Sequence, residues 1–138
     1  MRLVSKLPAT AVLSLLPFFV SAQVIGIWIQ DVDDDPLTLI LEEDGSATII
    51  LGDDIFGGLD YETNRGMATM KYRTESAGDL QRLTITMTLQ SNGEVLLTYY
   101  GLYRILGDGR MQLALYPEEE GFPDELTDDN SMWLTNYD

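Results

Sequence analysis

The feature that most constrains the fold is an alternation of apolar and polar residues with a period of two. In "LTITMTL" (residues 83–89), four apolar side chains alternate with three threonines, and residues 66–74 and 111–116 show the same pattern. Successive side chains of a strand point to opposite faces, so the pattern predicts half-buried strands with threonines on the outer face. No segment combines a sustained helical period with caps. The sequence therefore predicts an all-β protein.

Short turn-forming sequences separate the strand-like segments. "EDG", "SAGD", "SNGE" and "GDGR" stand at residues 43–45, 76–79, 91–94 and 107–110. The last three of these turns follow one another at a spacing of roughly 8–12 residues, which is typical of a barrel or sandwich. Eight or nine strands with short links favour a single antiparallel up-and-down β-barrel of about eight strands. Residues 52–66 are less regular, with a weak strand candidate at 59–63, and residues 117–130 are predicted to form a long surface loop.

The first 22 residues have the layout of a secretory signal peptide. Arg2 and Lys6 precede an apolar run from about residue 9 to residue 20, and "VSA" offers small residues before a cleavage point. The alternative is a buried N-terminal helix, which the absence of a polar face disfavours. We expect one β-barrel domain over residues 23–138, secreted or periplasmic, with no membrane span.

Charge and two missing residue types restrict the function. The chain has 23 acidic and 8 basic residues, and removal of Arg2 and Lys6 with the signal peptide would take its net charge from −15 to −17. Such a chain repels phosphate backbones, so no nucleic-acid partner is expected. The sequence has no histidine and no cysteine, which excludes Ser-His-Asp and Cys-His catalysis and the usual zinc sites. We predict neither an enzyme nor a cofactor.

The stretch "QDVDDDPLTLILEE" (residues 30–43) imitates a calcium-binding loop. Asp31, Asp33, Asp35 and Glu42 have the required spacing, but Pro36 occupies the sixth position, where glycine is needed for the turn. If residues 37–43 are extended, Glu42 lies roughly 20 Å along the chain from Asp35 at about 3.3 Å per residue. An acidic turn followed by a strand is therefore preferred, and no metal site is predicted. A weak, solvated cation site stays open as the alternative, at Asp31, Asp33, Asp34 and Asp35.

Aromatic residues offer the candidate binding site. Tyr99, Gly101, Tyr103 and Ile105 share one face of a predicted strand, and aromatic side chains that face into a barrel either line a cavity or fill a core. A glycine within a strand often marks a close approach of backbone. If a cavity exists, its predicted ligand-binding residues are Trp28, Met70, Tyr72, Tyr99 and Tyr103.

Two stretches resemble a known family. "GIW" opens the predicted mature chain as the Gly-x-Trp motif opens lipocalin-type barrels, and "YYGLYRILGDGRMQLALYPEEEGFPDEL" is similar to a stretch in small bacterial lipocalin-like domains of the calycin type. The matching positions are Gly101, Tyr103, Gly107, Asp108, Leu113, Leu115 and Pro123. The resemblance implies an eight-stranded barrel with Trp28 closing one end and a basic side chain, Arg104 or Arg110, packed on that tryptophan.

Two functions follow as hypotheses. The first is a non-enzymatic secreted barrel that binds a small apolar molecule. The second is an acidic extracytoplasmic protein-interaction or inhibitor module with a solid core and no ligand, which contacts another extracytoplasmic protein through residues 118–129. A hollow interior would favour the first hypothesis and a filled one the second.

Overall fold

The computed structural model describes residues 24–137, so the predicted signal peptide lies outside the described residues. The structure is all-β, as the alternation predicted. Its strands are β1 (Gly26–Gln30), β2 (Leu37–Leu41), β3 (Ala47–Leu51), β4 (Asp54–Gly57), β5 (Tyr61–Thr63), β6 (Gly66–Ala77), β7 (Leu80–Leu89), β8 (Val95–Ile105), β9 (Arg110–Pro117) and β10 (Met132–Asn136).

One antiparallel sheet contains all ten strands, in the order β4-β3-β2-β1-β10-β9-β8-β7-β6-β5. Neighbours in the sheet are neighbours in sequence, except that β10 pairs with β1. This is the predicted up-and-down arrangement, and the sheet curls until it is nearly closed into a barrel. The count of ten exceeds the predicted eight or so because β4 and β5 are short strands in the stretch that had looked irregular.

The alternation decides which side chains fill the interior. On β7, Leu83, Ile85 and Met87 are buried and belong to one hydrophobic cluster that runs through the barrel. The residues of β6 and β8 that pair with them point to the same inner face of the sheet. All three strands therefore contribute side chains to the cluster. Gly101 marks the predicted close approach, because a Cβ there would lie 3.2 Å from the carbonyl oxygen of Ala114.

Residues 118–131, which we call the strap, pack on the outside of the barrel. After a short 3₁₀ turn at Glu118–Glu120, the Phe122 ring lies 4.4 Å from the ring of Tyr100 and 4.6 Å from the guanidinium carbon of Arg82. Farther along, Gln112 Nε2 donates to the hydroxyl oxygen of Ser131 at 2.9 Å. The predicted surface loop is therefore anchored to β7, β8 and β9.

An up-and-down arrangement sends alternate loops to the same end of a barrel. The loops 31–36, 52–53, 64–65, 90–94 and 118–131 join strands at one end, and the loops 42–46, 58–60, 78–79 and 106–109 join them at the other. We call the first set the acidic end and the second the opposite end.

Candidate functional site

Ten of the chain's 23 acidic residues stand at the acidic end, in its loops, at the start of the strap or on the first residue of β4. They are Asp31, Asp33, Asp34, Asp35, Asp53, Asp54, Glu94, Glu118, Glu119 and Glu120, while the acidic residues farther along the strap lie on the outer wall. Among the described residues, the basic side chain in these loops is Arg65, and it pairs with Glu94 at 2.6 Å. The acidic end of the described structure is therefore strongly negative.

The loop between β1 and β2 is held at both of its ends. The backbone N–H of Leu37 donates to Gln30 Oε1 at 3.0 Å, which closes the loop, and the hydroxyl of Thr135 donates to Asp31 Oδ1 at 2.8 Å. Asp35 takes a left-handed conformation with φ of 47°, which aspartate tolerates better than most residues. The aspartates of the loop project into solvent from a fixed base.

A two-residue turn brings further carboxylates beside this loop. Gly52 has φ of +59°, and Asp53 is not among the residues with positive φ, which together give a type II′ turn with glycine at its first central position. The turn and the loop border an open depression of about 420 Å³. Its lining residues are Asp35, Leu51, Gly52, Asp53 and Asp54.

Exposed apolar side chains accompany the carboxylates. Ile55, on the outer face of β4, is 63% exposed, and Leu51 at the barrel rim is also exposed. Most of the large hydrophobic residues exposed in the described chain share this end. They are Val32, Leu51, Ile55, Met67 and Val95. The acidic end therefore offers apolar contact area as well as charge.

Two basic side chains lie side by side on the outer face of β6. Lys71 and Arg73 of β6 face Thr86 and Thr84 of β7 in the register of the two strands. These residues border a shallow, open groove of about 160 Å³ on the outside of the barrel.

The acidic residues with calcium-loop spacing do not lie together in the structure. The segment Leu37–Leu41 is a strand, as predicted, and it carries Glu42 to the opposite end while Asp35 stays at the acidic end. Within residues 24–137, no three acidic side chains are grouped closely enough to hold a metal ion. The residues that imitate a calcium loop are thus separated by the length of a strand.

The predicted ligand-binding residues lie in one cluster. Trp28, Met70 and Tyr103 are almost completely buried in it, and Tyr72 and Tyr99 are half-buried and pack against it. At these positions the interior is occupied by the protein's own side chains. A ligand that contacted them would have to displace neighbours from a packed core.

The tryptophan expected to close the barrel is not covered by an arginine. Trp28 Nε1 donates to the carbonyl oxygen of Val24 at 2.8 Å, near the start of β1. The guanidinium carbon of Arg110 lies 4.6 Å from the ring centre of Trp133, and Arg104 Nε donates to Gln112. Arg110 thus packs on Trp133 and not on Trp28, because Arg110 and Trp133 both lie on the outer face of the neighbouring strands β9 and β10.

One buried hydroxyl has a strongly altered acidity. Tyr103 Oη is buried and forms no hydrogen bond of standard geometry, although the Thr74 side chain is close enough to lower its pKa. Burial outweighs that contact and raises the pKa of Tyr103 from 10.0 to about 12. The neutral phenol is therefore favoured inside the barrel.

This burial predicts a loss of stability in alkali. An unfolded tyrosine loses its proton near pH 10 and folded Tyr103 only near pH 12, so the free energy of unfolding falls as the pH rises between these values. Between about pH 9 and about pH 11.5, Tyr103→Phe should lose about 2 kcal/mol less than the native chain does. Urea unfolding at the two pH values measures this difference.

Tyr137→Phe, which alters an exposed tyrosine, is the matched control and should follow the native chain. An equally steep fall for Tyr103→Phe and the native chain would contradict the role given to Tyr103.

The accumulation of negative charge at the acidic end was missed at the level of sequence, although the loop compositions contained it. Once strands alternate in direction, every second loop begins at the same end, and the acidic loops 31–36 and 52–53 and the start of the strap all lie at that end. The exposure of Ile55 had no such indication, because β4 itself was not predicted.

Within residues 24–137, no helix has the length and apolarity that crossing a membrane requires. Comparison with known proteins finds no matching family model, no matching curated protein and no matching solved structure.

Proposed function

We propose that this chain is an extracytoplasmic protein-interaction domain that binds a basic protein through its acidic end. The observation that carries the proposal is the presence of exposed apolar side chains, Ile55 and Leu51 foremost, among the carboxylates of one end. The proposal needs no cavity and no catalytic group.

The carboxylates and the apolar side chains would contribute to such a contact in different ways. The carboxylates attract a positively charged partner over about 8–10 Å at physiological ionic strength and orient it toward this end. The apolar side chains then supply contact area that is removed from water, which contributes about 25 cal/mol per Å² before the costs of association. A partner with basic and apolar residues side by side matches both features.

The hypothesis of a small apolar ligand stays a prediction. It depends on Trp28, Met70, Tyr72, Tyr99 and Tyr103, which pack into the same cluster as the rest of the core. A packed interior supports the alternative with a solid core, so the interaction domain is preferred.

Kinship with lipocalin-like domains is part of the proposal. It is supported by the position of Gly26 and Trp28 at the start of β1 and by a meander that returns its last strand to the first.

Panning a displayed library of random peptides against the protein tests the proposed function without assuming how a partner binds. We expect the enriched peptides to carry net positive charge together with apolar residues. Their affinity should fall tenfold or more, about 1.4 kcal/mol, for a variant that neutralises three exposed carboxylates of the acidic end. That variant is Asp33→Asn, Asp53→Asn and Asp54→Asn.

A matched variant changes the net charge by the same amount at or near the opposite end. It combines Glu43→Gln, Glu75→Gln and Asp79→Asn, which are also exposed, and it should lose no more than about threefold in affinity. Equal losses in the two variants, or enriched peptides without positive charge, would refute the proposed function.

A further inference from the structure

The barrel closes over part of its height only. Near the opposite end, the backbone N–H of Met70 donates to the carbonyl oxygen of Gly58 at 2.8 Å. The backbone N–H of Tyr72 donates to the carbonyl oxygen of Gly45 at 3.0 Å. These bonds join β6 to the segments that flank β3 and β4. Toward the acidic end, β4 pairs with β3 and β5 with β6, and neither has a second strand partner in the described part of the chain. We call the opening between β4 and β5 the seam.

The register shows which backbone groups of β4 face the seam. Leu51 and Asp54 flank a two-residue turn, so they form a hydrogen-bonded pair. Bonded and non-bonded pairs alternate along an antiparallel ladder, so the next pair, Ile50 and Ile55, is a non-bonded one. The phase is confirmed farther along, where the N–H of Gly58 donates to the carbonyl oxygen of Ala47 at 2.7 Å. The N–H and C=O of Ile55 therefore point away from β3.

The backbone groups of β5 that face the seam follow from its register with β6. The carbonyl oxygen of Met67 accepts a bond from Gln90, so the backbone groups of Met67 face away from β5. Its partner Glu62 is consequently in a non-bonded pair, and the N–H and C=O of Glu62 point away from β6. Both sides of the seam thus present unpaired backbone groups.

Exposed sheet edges are usually protected by lysine, proline or a bulge. The edge of β4 has none of these residues: its sequence is Asp-Ile-Phe-Gly, it follows Asp53, and Ile55 is 63% exposed. Across the seam, Glu62 is also exposed. Carboxylates repel a second copy of this chain and other acidic strands, but they attract a basic one.

We propose that the seam accepts an extended basic segment of the partner protein, which pairs with β4 as an added strand. The inference rests on the proposed function and specifies its mode. Backbone bonds to Ile55 give the segment its direction, while alternate side chains contact Ile55 or the carboxylates of Asp53, Asp54 and Glu62. The partner segment is expected to alternate β-branched apolar residues with lysine or arginine.

The probe is a labelled eight-residue peptide of alternating lysine and valine, and its binding is followed by fluorescence anisotropy. A second peptide has the same side chains but N-methyl groups on every other backbone amide, on the edge that would pair with β4. We expect the methylated peptide to bind at least tenfold more weakly, because it retains the charge and loses the strand pairing. Equal binding of the two peptides would overturn the inference, and this comparison uses the unaltered protein.

Two variants at one position give a second, independent test. Ile55→Pro removes an N–H that the β3–β4 ladder does not use and obstructs pairing at the free edge, so it should weaken binding of the lysine–valine peptide about tenfold. Ile55→Thr keeps the N–H and should lose about threefold or less. Unchanged binding by Ile55→Pro also overturns the inference.

The two proposals fail in different ways. Panned basic peptides that distinguish the two neutralised variants, but bind Ile55→Pro and the native chain equally, refute strand addition and leave the proposed function intact. Peptides that fail to distinguish the two neutralised variants refute the proposed function itself.

Discussion

Replacement of Trp28 by alanine is expected to lower the free energy of unfolding by about 3–5 kcal/mol, a large part of the about 5–15 kcal/mol that keeps a small domain folded. The indole is 1% exposed, and it belongs to the cluster that fills the barrel. It lies on β1, where Leu39 of β2 and Asn136 of β10 are its neighbours in register. Removing it leaves a cavity in the barrel interior beside β1. Urea unfolding followed by circular dichroism measures the loss.

Two companion variants show what part of this loss is packing. Trp28→Phe keeps most of the ring but leaves the carbonyl oxygen of Val24 without its 2.8 Å donor, so it should cost about 1–3 kcal/mol. Trp133→Ala removes the other tryptophan, which is half-buried on the outer face under Arg110, and should cost about 1 kcal/mol. The assignment of Trp28 to the core would be wrong if Trp133→Ala were as damaging as Trp28→Ala.

Sequence predicted the strands in which local pattern and tertiary pairing agree. Strands β6 to β9 alternate over 8 to 12 residues and are separated by glycine-containing turns, so their faces could be assigned before their partners were known. The expected inward face of β8, with Tyr99, Gly101 and Tyr103, is the face that packs on the cluster or lies against β9.

Strand β4 could not be predicted in this way. Its four residues begin with aspartate and end with glycine, both of which are disfavoured in strands, and they span too little chain for a period to be visible. Pairing with β3 forms the strand, with Phe56 opposite Ile49 and Ile55 opposite Ile50. Tertiary contact here overrides local preference, and the proposed seam was invisible to the sequence for the same reason.

Burial on the outer wall was missed for a different reason. The period of two places Leu102, Gln112 and Ala114 outside the barrel, and they are outside, yet all three are buried. Hydrogen bonds from Gln112 to the strap account for part of that burial. An outward position indicates exposure only where nothing covers the wall, and the strap lacks the periodicity that would have revealed its docking.

At the seam, Gly57→Ala is expected to destabilise the protein by about 3 kcal/mol or more. Gly57 has φ of +103°, which is strained for any residue with a side chain and costs about 1–3 kcal/mol. An added Cβ would also lie 2.6 Å from the carbonyl oxygen of Ala47 and would collide with Met70 Cε. The end of Met70 can turn aside, but the carbonyl belongs to β3 and cannot move without opening the ladder, so overpacking adds about 1–3 kcal/mol.

Gly78→Ala is the matched control, because Gly78 also has a positive φ, +67°, but a Cβ there meets nothing within 4 Å. It should cost about 1 kcal/mol, which isolates the conformational part of the effect.

A double-mutant cycle between Gly57→Ala and Met70→Ala separates the remainder, since removing the Met70 side chain relieves one collision and leaves the contact with Ala47. The close approach of β3 and β6 at Gly57 closes the barrel beside an edge that stays open. Hydrogen exchange at Met70 and Tyr72, whose N–H groups bridge the closed part, should therefore accelerate in Gly57→Ala and not in Gly78→Ala. Equal losses of stability in the two alanine variants would contradict this account of the closure.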